Sequence, residues 1–269
     1  MLKDITLGQY FPGNSPVHRL DPRTKLIMLV IYIVALFCAV SWISYGVVLV
    51  FLAATIWISK IPLKSLVQGM KPLILILVFT GVLNLFFTVG EGAPLIDFWI
   101  ITIYSEGVVR AIFMVVRILM LISGTFLLTY TTSPISLTDG LESLLGPLKA
   151  IHLPVHELSM MMCIALRFIP TLIEETDKIM SAQKARGADF ESGNLLQRAR
   201  AMLPILVPLF ISAFRRADEL ATAMECRCYQ GGEGRTKMKL LRYSYFDFVA
   251  LGIGAALVAS VCILAHFGL

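Results

Sequence analysis

With 269 residues, 57% of them apolar and only 15% charged, the chain is too greasy for an ordinary soluble domain. Its formal charge of +5 does not argue for nucleic-acid binding, because in so apolar a chain an excess of lysine and arginine reports orientation across a bilayer. A hydrocarbon core about 30 Å thick needs roughly 20 apolar residues per helical span. Several stretches meet that length with few charges, so an all-α integral membrane protein is expected.

Residues 1–24 hold Asp4, Asp21, Gly8, Gly13 and three prolines, which is not the order of a cleavable signal. The first apolar run, Leu26 to Ile58, would be about 50 Å long as a single helix. The break at Ser41-Trp42-Ile43-Ser44 predicts two spans instead, 25–41 and 43–59, joined by a tight turn. Lys60-Ile61-Pro62-Leu63-Lys64 and Lys71-Pro72 mark an interfacial loop, and Pro72 suits the first turn of the next helix. Further spans are predicted over 72–90, 107–130 and 247–267, five in all.

The loops give the orientation. Residues 1–25 carry Lys3, Arg19, Arg23 and Lys25, and the 60–71 loop has three lysines and no acid. The 90–106 loop has Glu91, Asp97 and Glu106 but no basic residue, whereas fourteen lysines and arginines lie between Thr131 and Tyr245. The positive-inside rule therefore puts the N-terminus, the 60–71 loop and the long basic segment in the cytoplasm, and the C-terminus outside. The expected organisation is 1–130 (N-terminal segment and four spans), 131–245 (cytoplasmic domain) and 246–269 (last span).

Arg110 and Arg117 fall seven apart in the fourth span and so share nearly one face. Arg110 can snorkel, but Arg117 is deep enough to need a partner or a wet cavity. Two readings stand side by side, contact with a partner subunit and an internal hydrogen bond to a backbone carbonyl.

In the basic segment apolar residues recur at helical spacing from Leu158 to Ile179, and again from Leu196 to Met224. Leu203, Leu206, Phe210 and Phe214 form the second stripe and are expected to be packing positions. Shifted by 41 residues the two stretches match: Asp177 on Asp218, Ile179 on Leu220, Ala182 on Ala223, Arg186 on Arg227. Each predicted helix ends in an arginine beside small residues, Ala185-Arg186-Gly187 and Cys226-Arg227-Cys228. Gly187 suits a left-handed cap that releases the chain just past the arginine. An arginine in a last turn also complements the helix dipole, a bland role worth about 0.3–1 kcal/mol. That role explains one such end better than two, and a pair of protruding guanidinium groups suits a partner with two equivalent acidic sockets.

The whole pattern resembles a known family, the transmembrane T components of energy-coupling factor (ECF) transporters, which are related to cobalt and nickel uptake permeases. The likeness rests on Gly8-Gln9-Tyr10, Pro12-Gly13-Asn14-Ser15, His18-Arg19-Leu20-Asp21-Pro22-Arg23-Thr24-Lys25 and Thr131-Thr132-Ser133-Pro134. It continues through Ala165-Leu166-Arg167-Phe168-Ile169-Pro170, Gln183 to Ala188, and Arg215-Arg216-Ala217-Asp218-Glu219-Leu220. The resemblance implies two cytoplasmic ATP-binding subunits, a small membrane-embedded substrate-binding protein, and a T component that links them for uptake of a vitamin or related micronutrient. It also implies that two Ala-Arg-Gly motifs end crossed coupling helices and dock the ATPases. The first motif is intact at Ala185, Arg186 and Gly187. At the second only Arg227 is kept, between Cys226 and Cys228, so the left-handed exit there loses its glycine. The alternatives are a cobalt or nickel permease subunit and a membrane scaffold without a transport role.

Other signals carry less. Gly231-Gly232-Glu233-Gly234-Arg235-Thr236 lacks the spacing of a phosphate loop. Cys226-Arg227-Cys228 has no second Cys or His pair for a metal, and the five cysteines suggest no disulfide framework. His152 and His156 straddle Pro154 at a helix start and are expected to face solvent or an interface. No nucleophile–base pairing is present, so neither catalysis nor a cofactor is expected of this chain.

Overall fold

The computed structural model describes residues 10–87, 94–98, 101–151, 153–190, 194–232 and 240–267. Of the residues named above, Lys3, Asp4, Gly8, Gln9, Glu91, His152 and Glu233 to Thr236 lie outside them. The chain divides into two compact units, Gly8–Gly140 with Leu241–Leu269, and Leu141–Leu240. The helices in chain order are α1 (Pro16–Arg19), α2 (Pro22–Cys38), α3 (Trp42–Ser59), α4 (Leu63–Met70), α5 (Ile74–Phe87), α6 (Ser105–Thr131), α7 (Pro134–Leu144), α8 (Val155–Ala185), α9 (Leu195–Glu225) and α10 (Tyr245–His266). A short antiparallel hairpin, β1 (Pro94–Phe98) with β2 (Ile101–Tyr104), interrupts the predicted 90–106 loop.

The protein is an all-α, multi-pass membrane protein. The predicted spans coincide with α2, α3, α5, α6 and α10. Among the described residues, by length and composition alone, six helical stretches could cross a membrane, Trp42–Ser59, Leu63–Leu85, Gly107–Thr131, Val155–Ala185, Leu196–Glu225 and Tyr245–His266. The difference from the five predicted has a simple origin. With 17 residues α2 is short, while α8 and α9 concentrate their charges beyond residues 173 and 214 and so leave long apolar stretches.

Local chemistry sets the helix ends. Pro22 stands in the first turn of α2, and the Asp21 carboxylate accepts the backbone N–H of Arg23 at 2.9 Å, the usual N-cap bond. Ser41 caps α3 and closes the tight turn. Lys60 ends α3 in the left-handed conformation with φ 58°. Pro72 sits in a 3-10 turn, Lys71–Leu73, that leads into α5.

The core of the larger unit lies where α2, α3, α6 and α10 meet, at Tyr32, Ala35, Leu36, Val48, Leu52, Met120, Leu257 and Val261. Small residues set how close the helices come, as is common between membrane helices. A Cβ on Gly124 would stand 2.6 Å from the Tyr32 ring, and one on Gly254 would stand 2.6 Å from the Met28 sulfur. The Tyr32 hydroxyl donates to the Met120 carbonyl at 3.0 Å, so its polar end is satisfied away from water.

At one end of this bundle the segments that carried the family likeness converge. Asp247 in the first turn of α10 accepts the backbone N–H of Asp21 at 2.8 Å and that of Ser244 at 2.7 Å. The Lys25 ammonium donates to the carbonyls of Thr131 and His18 at 2.9 and 3.1 Å. Asp21, Lys25, Thr131 and Asp247 are all buried, and buried charges persist only when paired and hydrogen-bonded. Ser15 and His18 complete the knot through Ser15 Oγ and His18 Nδ1 at 2.7 Å. The N-terminal motif is therefore a fastening between α2, α6 and α10. Asp247 was not singled out from the sequence, although Ser244 three residues before it is a capping-box signal.

Arg117 is resolved by its contacts. Its Nε donates to the Tyr45 hydroxyl at 2.7 Å and its Nη2 to the Ala39 carbonyl at 3.2 Å, with Phe37 and Tyr45 under the guanidinium. Ala39 is the C-cap of α2, so the arginine satisfies a carbonyl that the helix end leaves open. Of the two readings, the internal hydrogen bond is the one the geometry supplies. Arg110 is exposed.

Candidate functional site: two arginine-tipped helices

Helices α8 and α9 are each 31 residues long and belong to the second unit. A capping box at Asn194, whose side chain and that of Gln197 each accept the other's backbone N–H, opens α9. Proline occurs inside both helices, at Pro170 in α8 and at Pro204 and Pro208 in α9. Each removes an intrahelical hydrogen bond and favours a bend.

The two helices end alike in two backbone hydrogen bonds. In α8 the N–H of Gly187 donates to the Lys184 carbonyl at 3.0 Å and that of Ala188 to Gln183 at 3.0 Å. In α9 the N–H of Cys228 donates to Glu225 at 2.8 Å and that of Tyr229 to Met224 at 3.1 Å. These are the two crossed bonds of a Schellman ending, and every residue of the second set is 41 positions beyond its counterpart. The left-handed residue is Gly187 at φ 87° in the first and Cys228 at φ 56° in the second. The loss of glycine therefore does not remove the left-handed exit; the cysteine adopts it at a conformational cost of about 1–2 kcal/mol.

This geometry puts Arg186 and Arg227 at equivalent places, just before the reversal of the chain. Both arginines are exposed, as are Ala185, Gly187, Cys226 and Cys228. Below the second tip, Arg227, Cys228 and Tyr229 border an open cleft with Met160, Ile164 and Met224. All five cysteines are free thiols.

The apolar stripe of α9 differs from its sequence reading. Leu203, Leu206, Phe210 and Phe214 were expected to pack, but all four are exposed, with Phe210 and Phe214 touching edge to face at 4.7 Å. They form an exposed apolar face and not part of the chain's own core, because helical periodicity marks an apolar side without fixing what stands against it. The contact between the helices includes an ion pair, Arg216 Nη2 to Glu175 Oε2 at 3.0 Å. Ser212 also bonds to that carboxylate. The sequence held a signal for this pair that was not used: 175 and 216 are themselves 41 apart and opposite in charge.

His156 is half-buried. Its Nδ1 lies 3.1 Å from Glu142 Oε1, and Ser159 donates to the other oxygen of that carboxylate at 3.0 Å. It helps to fasten the start of α8 and is only partly exposed.

The described residues thus form a multi-pass helical membrane protein that also carries a packed pair of long helices with equivalent arginine-bearing ends. The family model described as the cobalt transport protein CbiQ matches residues 13–238. The energy-coupling factor transporter transmembrane protein EcfT of Clostridium kluyveri is 56% identical over 93% of this chain and 93% of its own length. Those of Ruminiclostridium cellulolyticum and Bacillus subtilis are 51% and 49% identical, over 99% and 96% of this chain and 99% and 98% of their own lengths. The chain belongs to this family of ECF transporter transmembrane proteins.

Proposed function

We propose that the chain couples ATP hydrolysis by two cytoplasmic ATP-binding subunits to a separate, small membrane-embedded protein that captures the substrate. Arg186 and Arg227 each enter an acidic socket on one ATPase, and closure of the ATPase pair moves α8 and α9 as levers. The exposed face of Leu203, Leu206, Phe210 and Phe214 meets the substrate-binding protein, so that a shift of the levers changes its orientation. A two-state element of this kind is biased only by contacts that differ between its states. In this reading ATP hydrolysis belongs to the partners, residues 131–245 and the N-terminus are cytoplasmic, and the cargo is a vitamin or related micronutrient.

The observation that carries the proposal is the pair of equivalent Schellman endings, each presenting one exposed guanidinium. A helix-dipole role would need neither the equivalence nor the exposure. The full-length likeness to relatives named as ECF components weighs for this reading over a dedicated cobalt permease. The test is the double variant Arg186→Glu/Arg227→Glu in the complete complex. Loss of ATPase copurification and of uptake is expected, and an assembled, active complex would overturn the docking role.

A further inference from the structure

We propose that the stretch 60–71 is a binding surface for anionic phospholipid headgroups, seated at the membrane face where α3 ends and α5 begins. This inference rests on the chain being a membrane protein and is independent of the coupling role of α8 and α9.

Helix α4 is held by one side only. Leu66 and Ile61 are buried against Tyr130, and the Tyr130 hydroxyl donates to the Ser65 carbonyl at 3.2 Å. The other side is open, with Leu63 66% and Val67 59% exposed. At 3.6 residues per turn these two lie about 40° apart on the helix, with Leu66 about 60° from Leu63 on the opposite side. Lys64 lies about 100° from Leu63 on the Val67 side, so a cation borders the open apolar stripe. Lys60 caps α3 and Lys71 opens the 3-10 turn, and both are exposed like Lys64.

None of the three lysines makes a salt bridge or side-chain hydrogen bond among the described residues. From Pro22 to Gly90 the sequence contains no Asp or Glu, so no acid on α2, α3, α4 or α5 can compensate them. The elements on either side fix the depth. Helix α3 is a span and α5 carries most of the next apolar run, so α4 with its lysines at 60, 64 and 71 lies where that run begins, and in the proposed arrangement it sits at the boundary between hydrocarbon and water. Trp57, two residues before the end of α3 and 84% exposed, stands at the level where aromatic belts lie. Apolar residues that dip beside the headgroups, flanked by lysines that reach phosphates, describe an interfacial element with a preference for negative lipid.

Trp57 is the natural reporter. In a Trp42→Phe/Trp99→Phe background the full chain would be placed in phosphatidylcholine vesicles with a small fraction of brominated phosphatidylglycerol, or the same fraction of brominated phosphatidylcholine. Quenching by the brominated phosphatidylglycerol should be greater by about twofold or more, and should fade in about 1 M salt. In Lys60→Gln/Lys64→Gln/Lys71→Gln the ratio should drop to about one, while Lys60→Arg/Lys64→Arg/Lys71→Arg keeps the preference. Equal quenching by the two lipids in the unaltered stretch would overturn the proposal. So would an undiminished preference in the glutamine variant. Equal quenching together with loss of a protein partner from the glutamine variant would assign the lysines to that partner instead.

Discussion

Arg216 reaches Glu175 across the α8–α9 contact at 3.0 Å, and the two residues occupy the same position in the two repeats, 41 residues apart. Equivalent positions meet where a two-fold axis runs through a crossing. At such a point identical charged residues would repel, and the sequence avoids this by placing opposite charges. The pair is 24% exposed at Glu175 and 37% at Arg216, so it selects the crossing point more than it holds the helices together. In a double-mutant cycle of Glu175→Ala and Arg216→Ala, thermal unfolding should give a coupling below about 1 kcal/mol. The exchange Glu175→Arg/Arg216→Glu should restore whatever uptake each single reversal loses, and failure to restore it would remove the pair from the lever mechanism.

The two helix exits should respond in opposite senses to small substitutions. Gly187→Ala places a Cβ at φ 87°, a conformation that L-residues enter at about 1–2 kcal/mol. Cys228→Gly relieves the same term, partly offset by the greater freedom of glycine in the unfolded chain. Melting of the purified chain should therefore fall for the first variant and hold or rise slightly for the second. A drop for Cys228→Gly would show that the thiol makes a contact worth more than the backbone relief.

For Arg117 the balance of terms predicts an unusual order of severity. Removing the arginine leaves the Ala39 carbonyl and Tyr45 hydroxyl short of a partner, at about 1–3 kcal/mol each, but also removes a cation from a span. Tyr45→Phe keeps the cation and deletes its 2.7 Å partner, a bond to a charged group worth about 1.5–3 kcal/mol. Tyr45→Phe should thus unfold at a lower temperature than the double variant Tyr45→Phe/Arg117→Met. The reverse order would mean that Arg117 is needed for more than its own burial.

Asp247 should be among the most sensitive positions in the spanning unit. Each oxygen of its buried carboxylate takes one backbone N–H, from Asp21 and from Ser244. Asp247→Ala would orphan both donors, and at about 1–3 kcal/mol for each the loss is expected to reach about 2–6 kcal/mol. Asp247→Asn keeps one good acceptor and should recover about half of it. The check is detergent-solubilised thermal stability together with proteolysis of the segment 10–22.

The spans, the number of long amphipathic helices and the repeat were legible in the sequence because they are written in one-dimensional periods. Twenty-odd apolar residues define a span whatever packs beside it, and a 41-residue shift needs no coordinates to be seen. Helix boundaries were legible for the same reason: Ser41, Pro72 and Gly187 act on their own neighbours. What the sequence could not give were relations between distant residues. Which carbonyl Arg117 satisfies, that Asp247 fastens the Asp21 turn 226 residues away, and that Cys228 takes a glycine conformation all depend on the rest of the fold. Whether the apolar stripe of α9 was core or open face was likewise undecidable in advance, since periodicity shows that a helix has an apolar side but not what stands against it. Only the tertiary structure settles that, because burial is a property of two surfaces and the chain by itself lists one at a time.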